Sequence, residues 1–303
     1  MQLSKVFYLC LFSGVFFSCD DQLPTHRVQT DTLEAVQMRQ WYHRRNRARD
    51  RQKHSSIQAI SLPEQNLYSF KSRRKSAYKL ENRATPLQWR VMTTIDGVKV
   101  RVTNTGQAIM FTSGMSIDAD GSPRAYHPKN TGLDDLKHAG KNGKWWALAT
   151  RNGKPVIQRS GYYVSTTSLQ DFRYSPWDQR RYVNAEKIPY IVLPPKVKKI
   201  GQVSLGDLAV VYNTQNHRWT YAIYADTGAD TRIGEGSIAL AKLLGINADA
   251  RKGGISQGIV YTVFPGSGVQ TPLTLAAIQT KGFSYFYKFG GLTHLKTQMR
   301  KYR

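Results

Sequence analysis

The stretch Tyr221-Ala-Ile-Tyr-Ala-Asp226-Thr-Gly-Ala-Asp230-Thr-Arg-Ile-Gly-Glu235-Gly-Ser237 carries two carboxylates in a setting suited to acid–base chemistry. An apolar strand-forming run delivers Asp226 at its end. A Gly-containing turn follows, and Gly234-Glu235-Gly236 leads into a helix-forming run that starts at Ser237. Glycine on both sides of Glu235 permits backbone angles that are costly for other residues. Loops held between rigid elements are favoured places for catalytic groups. Two carboxyl groups displayed in this way could flank a glycosidic bond, one protonating the leaving oxygen and the other activating water. The same spacing also describes a polar turn with an acid beside a helix N-terminus, where the dipole favours negative charge.

Other side chains offer less. Trp145, Trp146, Tyr162 and Tyr163 are candidate sugar-stacking surfaces. Alternation along a strand sends neighbours to opposite faces, so Trp146 and Tyr163 are taken for the cleft and one of each pair for the core. His127, in Ala125-Tyr126-His127-Pro128, could line the cleft or make a local hydrogen bond. Ser165, Thr166, Thr167 and Ser168 have no acid–base pattern around them that would make a nucleophile and read as strand-end hydroxyls. The string Asp118-Ala-Asp120-Gly121 opens like a calcium loop but lacks the remaining ligands at their required spacing, so no metal is expected there. Both cysteines, Cys10 and Cys19, fall in the first 19 residues. The remainder has no disulfide, no thiolate metal site and no Cys nucleophile. No cofactor is implied.

The elements that must position these groups are mostly strands. Trp89–Thr94 and Val98–Val102 alternate with period two around Asp96-Gly97, a favourable hairpin turn. Trp145–Thr150 and Pro155–Gln158 repeat the device around Asn152-Gly153. Further strands are expected at Ile188–Leu193, Leu208–Tyr212, Trp219–Tyr224 and Gly258–Phe264. One helix stands out, from its N-cap Ser237 to Leu244, with Gly245 suited to the C′ position. Strands at this density with few helices predict a mainly-β single domain, built on a small closed or partly closed barrel with short helices. An Asp-Thr-Gly turn after a strand is similar to that of double-psi barrels, the first choice of architecture.

Several motifs in order resemble one family, the fungal chitosanases of glycoside hydrolase family 75. The Asp226–Glu235 segment resembles its catalytic stretch, a strand ending in an Asp-Thr-rich turn followed by Ile-Gly-Glu and a small-residue helix. Met115-Ser-Ile-Asp118-Ala-Asp120-Gly121 resembles its Asp-x-Asp-Gly segment. Ile188-Pro189-Tyr-Ile-Val-Leu-Pro194 resembles its Val-Pro-Phe-Tyr-Val-Ile-Pro strand. Gly206-Asp207-Leu-Ala-Val-Val resembles the strand before the catalytic hairpin, and Val260-Tyr-Thr-Val-Phe264 its final strand. The resemblance implies an inverting endo-hydrolase acting on β-1,4 bonds of chitosan or a related glucosamine polymer. It makes Asp226 and Glu235 the essential carboxylates. Glu235, beside a helix N-terminus, should be lowered in pKa and suit the base, and Asp226, leaving an apolar strand, should be raised and suit the acid. Asp118 and Asp120 could bind substrate ammonium groups or shape the cleft, or simply close a turn. Asp230 is a further candidate for substrate contact.

The ends and the charge complete the reading. Residues 1–19 read as an export signal, with Lys5 ahead of an apolar run and Phe16-Phe17-Ser18-Cys19 resembling a lipobox, so Cys19 is the expected lipidation site. Residues 20–85 form a basic polar tether, partly disordered, with clusters at Arg44–Lys53 and Lys71–Lys75. The catalytic domain is set at 86–303. The protein is expected to be a monomer in the cell envelope or secreted, meeting the membrane through its lipid and binding no nucleic acid. The net charge is +24, and from residue 81 onward 30 Lys and Arg face 14 Asp and Glu. Such a balance favours anionic surroundings, whereas chitosan is a polycation. An acidic cleft drawn from Asp118, Asp120, Asp134, Asp135, Asp226, Asp230 and Glu235 would overcome this at short range, where screening removes the distant charges. Two other functions fit: a non-catalytic glycan- or envelope-binding lipoprotein on the same fold, and a basic surface protein binding acidic lipid or nucleic acid through residues 44–75.

Overall fold

The computed structural model describes residues 87–302. The signal, Cys19 and the basic tether lie outside the described residues. The chain opens with a hairpin of β1 (Trp89–Ile95) and β2 (Val98–Thr103), then the long strand β3 (Ile109–Asp118). Asp96 and Gly97 both have positive φ, +48° and +73°, the conformation that a two-residue turn of type I′ demands. An excursion over 119–189 follows, holding a short α-helix, α1 (Leu136–Ala139), a 3-10 turn at Gln179–Arg181, and two small hairpins, β4/β5 (Gly140–Lys141, Lys144–Trp145) and β6/β7 (Thr150–Arg151, Lys154–Pro155). Next come β8 (Tyr190–Leu193), α2 (Pro195–Gly201), β9 (Leu208–Asn213), β10 (Trp219–Thr227), β11 (Glu235–Ser237), α3 (Ile238–Leu243) and β12 (Ile255–Phe264). Two helices end the chain, α4 (Leu275–Phe289) and α5 (Gly291–Lys301).

Six strands close into a barrel in the order β3-β11-β8-β10-β9-β12, with β12 pairing back onto β3 and the β1–β2 hairpin extending from β3. β3/β11 and β8/β10 are parallel; the other pairs are antiparallel. The mainly-β domain with a small barrel and short helices expected from the sequence is therefore present.

Both faces of the barrel are buried, which is why its strands read as nearly continuous apolar runs. Ile109, Phe111, Ile191, Leu193, Val211, Tyr224 and Tyr261 form one set, to which α3 adds Leu240 and Leu244. Phe111 and Tyr261 are direct cross-strand partners with rings stacked 4.6 Å apart. The alternate residues Tyr190, Val192, Val210, Tyr221 and Phe264 pack with Ile278 and Phe286 of α4. The helix α4 covers the second set from outside, packing on β9 and β10, while the first set, from the alternate strand positions, faces the other way and fills the barrel. Each large side chain so buried contributes about 1.5–3 kcal/mol.

Two details differ from expectation. The Asn152-Gly153 hairpin keeps its turn, with φ of +51° and +74°, but its strands shrink to two residues each. The flanking residues bridge elsewhere instead, Leu148 to Ser165 and Ile157 to Tyr163. The helices α4 and α5 were not anticipated. Their signal was the apolar spacing Leu275, Ile278, Phe286 and Phe289, interrupted by Gly282. That glycine lets α4 close onto the barrel, since a Cβ there would sit 2.5 Å from Cγ of Tyr221.

Candidate active site

Asp226 reaches the site through a break in strand alternation. Along the β10/β8 pairing, Ile223 lies opposite Tyr190 and Tyr224 opposite Ile191, but Asp226 rather than Ala225 lies opposite Val192. Ala225 is the extra residue of a β-bulge, a device that re-aims the side chains beyond it. Without it Asp226 would follow Tyr224 into the apolar interior; with it, Asp226 shares the outward face with Val192. Glu235 at the start of β11 also pairs with Val192, and on its other side with Ser116 of β3. Asp226, Val192, Glu235 and Ser116 thus form one row across four strands. At about 4.8 Å per strand, the backbones of the two carboxylates stand roughly 10 Å apart, with β8 between them. Gly234 enables this entry into β11: its φ is +99°, and a Cβ there would lie 2.4 Å from Oγ of Ser113.

Asp226 is held tightly. Its Oδ1 accepts hydrogen bonds from the Ser168 backbone N–H (2.9 Å), the Ser168 hydroxyl (2.6 Å) and the Thr227 N–H (2.8 Å). With Oδ1 committed as an acceptor, a proton on this group sits on Oδ2. Burial raises its pKa, and these three bonds oppose the rise. Ser168 therefore positions the carboxylate, a role that its reading as a strand-end hydroxyl did not include.

Asp118 and Asp120 join the same cluster. Ligand oxygens of Asp118, Asp120 and Asp226 lie within 4.8 Å of one another. Asp118 accepts the Asp120 N–H (2.7 Å), the Tyr126 hydroxyl donates to Asp120 Oδ1 (2.7 Å), and the Tyr190 hydroxyl donates to the Asp120 carbonyl (2.9 Å). Burial raises both pKa values, with repulsion from neighbouring carboxylates adding to it. Three carboxylates this close cannot all ionise without a counter-charge. They could share protons, or hold a metal ion or an ammonium group. The spacing in the sequence pointed to no metal set, because Asp226 joins the other two only in the fold.

Glu235 also has a raised pKa, from burial first and then from Asp226, with Arg232 opposing. This corrects the lowering expected from a helix N-terminus. The helix α3 starts only at Ile238, and its N-cap, Ser237, accepts the Leu240 N–H at 3.1 Å. Glu235 lies ahead of that turn, on a strand. A cavity of about 840 Å³ opens beside it, walled by Ser113, Ser116, Arg232 and Gln257 among others. Gly228 closes the near side, 3.6 Å from Glu235 Oε2 at its notional Cβ.

The remaining candidates divide. Trp146 is 62% exposed, its indole N–H donating to the His138 carbonyl at 2.6 Å. Its neighbour Trp145 packs toward the core beside Tyr163, so Tyr163 is half-buried rather than an open platform. His127 serves its own turn, its Nδ1 meeting the Lys129 N–H (3.1 Å) and the Thr131 hydroxyl (2.9 Å). Asp230 turns away and accepts the Lys196 N–H at the start of α2 (2.9 Å). Sequence reasoning missed His138. It is bonded through Nδ1 to the buried Asp134 at 2.9 Å, and both influence Glu235 electrostatically. The i,i+4 spacing of Asp134 and His138 was the available signal.

The site is thus a pair of carboxylates on one barrel face, with a cavity beside one and an acidic cluster around the other. The family model described as fungal chitosanase of glycosyl hydrolase group 75 matches residues 115–294, more than half the chain, and the chain belongs to that family. No curated protein matches it.

Proposed function

We propose that this protein is an exported, inverting endo-glycosidase that cuts β-1,4 bonds of chitosan or a related glucosamine-containing polysaccharide. The observation that carries this reading is the row Asp226–Val192–Glu235, two carboxylates on one face with one strand between them. Inversion needs carboxyl groups about 6.5–9.5 Å apart, so that a water fits between base and sugar. A backbone separation of roughly 10 Å across β8 is compatible with that span.

Asp226 is the general acid. It belongs to a three-carboxylate set in which burial and mutual repulsion favour a held proton, and with Oδ1 saturated that proton rests on Oδ2. Protonation of the glycosidic oxygen by this group makes the leaving sugar a good one. Glu235 is the base. It borders the open cavity, where water has access, and Arg232 favours its ionised form. It takes a proton from water as that water attacks the anomeric carbon from the opposite face. Asp118 and Asp120 offer negative charge to a substrate ammonium, which would replace the missing counter-charge of the cluster. Trp146 gives an exposed ring on which a sugar can stack.

Reducing-end release from chitosans of graded acetylation tests the proposal. Asp226→Asn and Glu235→Gln should each lower the rate by about 10²–10⁴-fold while leaving the folded state intact. Activity within tenfold of wild type in either variant would overturn the assignment. Binding without release in the wild type would favour a glycan-binding protein on the same fold.

A further inference from the structure

We infer that the outward faces of α4 and α5 form a docking surface for a membrane of anionic phospholipid. From Ala250 to Arg303 the sequence contains eight Lys or Arg and no Asp or Glu. In α4, Ile278, Gly282 and Phe286 are buried, and α4 packs on β9 and β10. The opposite stripe carries Lys281 and Lys288, with Tyr287 beside them at 63% exposure. In α5, Leu295 and Gln298 point inward, leaving Arg300 and Lys301 exposed. Among the described residues, none of Lys281, Lys288, Arg300 and Lys301 forms an ion pair.

Like charges are also gathered here on aromatic rings. Arg101 and Lys301 both lie over the ring of Tyr302, at 5.3 Å and 5.4 Å, and Lys288 lies over Tyr285 at 5.6 Å. Two cations at one ring repel each other, and a layer of phosphate headgroups would relieve that repulsion. Tyrosine beside lysine is the composition that settles at headgroup depth, ring toward the lipid and charge toward phosphate.

On α4 the surface stands away from the carboxylates, while α5 comes nearer, its Met299 bordering the cavity beside Glu235. Phe286 of α4 meets Trp219 and Tyr221 near the start of β10, whereas Asp226 lies five residues further along, about 16 Å away at strand rise. The described chain also begins beside α5, with the Trp89 indole N–H donating to Gln298 Oε1 at 3.0 Å.

The test uses the full chain and sedimentation with vesicles of phosphatidylcholine alone or with about one-third phosphatidylglycerol. Wild type should bind the mixed vesicles and not the neutral ones. Near an anionic surface each Lys or Arg contributes about fivefold in affinity, so K281E/K288E/R300E/K301E should weaken binding by at least fifty-fold, an order-of-magnitude figure from the same source. Circular dichroism and Tm check its folding, and if it fails to fold, K281Q/K288Q on the solvent stripe of α4 should still weaken binding about tenfold or more. Unchanged binding in the folded variants would assign lipid contact to residues 44–75 and overturn the proposal. Equal binding to both vesicle types would overturn it, as would binding confined to a soluble anionic polysaccharide.

Discussion

At the scale of single residues, the site is defined by carboxylates held where they do not ionise easily. Asp118, Asp120, Asp226 and Glu235 all have pKa values raised chiefly by burial. The folded protein therefore keeps protons that the unfolded chain loses at about pH 4. In that range the unfolded state binds fewer protons, so stability falls as pH rises from the unfolded value through the folded ones. Removing one charge should recover part of this loss. Asp118→Asn keeps an oxygen for the Asp120 N–H and should raise Tm at pH 7, by about 2–4 °C for each kcal/mol regained in a domain of this size. The gain should vanish toward pH 4, where the carboxyl is already neutral. A Tm below wild type at pH 7 would mean that Asp118 serves stability rather than substrate binding. The usual trade between active-site strain and function accounts for the persistence of such a cluster.

At the scale of elements, one extra residue decides which way the acid points. Ala225 bulges from β10 and shifts the register by one, so every side chain beyond it changes face. Deleting Ala225 should return position 226 to the alternation set by Tyr224 and drive a carboxylate toward the apolar interior. The expected outcome is loss of activity together with a cost of several kcal/mol, since a charge would be buried without a partner. A deletion variant that folds with wild-type Tm and retains activity would show that the bulge does not orient Asp226. Ser168 completes the arrangement from the excursion, fixing Oδ1 by backbone and hydroxyl bonds. Asp226 is thus held by two segments almost sixty residues apart in the chain.

At the scale of the whole molecule, charge is divided by location. The sequence from residue 81 onward has an excess of 16 positive charges, yet the carboxylates that matter converge on one barrel face. Within a Debye length of about 8 Å the local field dominates, and beyond it salt screens the basic surface. On the proposed function, a cationic polymer would be held in the cleft while the C-terminal helices would attract anions. Export and lipidation at Cys19 would place both partners within reach. Replacing Cys19 by Ser should release the protein from the membrane fraction into the soluble envelope or medium and abolish labelling by a fatty-acid analogue. Labelling that persists in Cys19→Ser would remove the proposed anchor.

The sequence by itself determined the strand-rich class, the Asp96-Gly97 turn and the Ser237 cap, because each rests on local periodicity or on residue types with strong backbone preferences. Asp226 and Glu235 were legible because a short turn joins two rigid elements that display them. Tertiary structure alone decided the rest. Asp118 and Asp120 meet Asp226 only because β3 closes against β11, and the bulge at Ala225 is a property of pairing with β8. His127 spends its Nδ1 on its own turn and Asp230 accepts the N–H that opens α2, while Asp134 and His138 come to Glu235 from the excursion. Helix α4 stayed hidden because Gly282 interrupts its apolar stripe, and only the ring of Tyr221 beneath it explains why glycine is there. Local preferences act over a few residues and can be read along the chain; which distant groups share a face depends on barrel closure and register, which no single segment encodes.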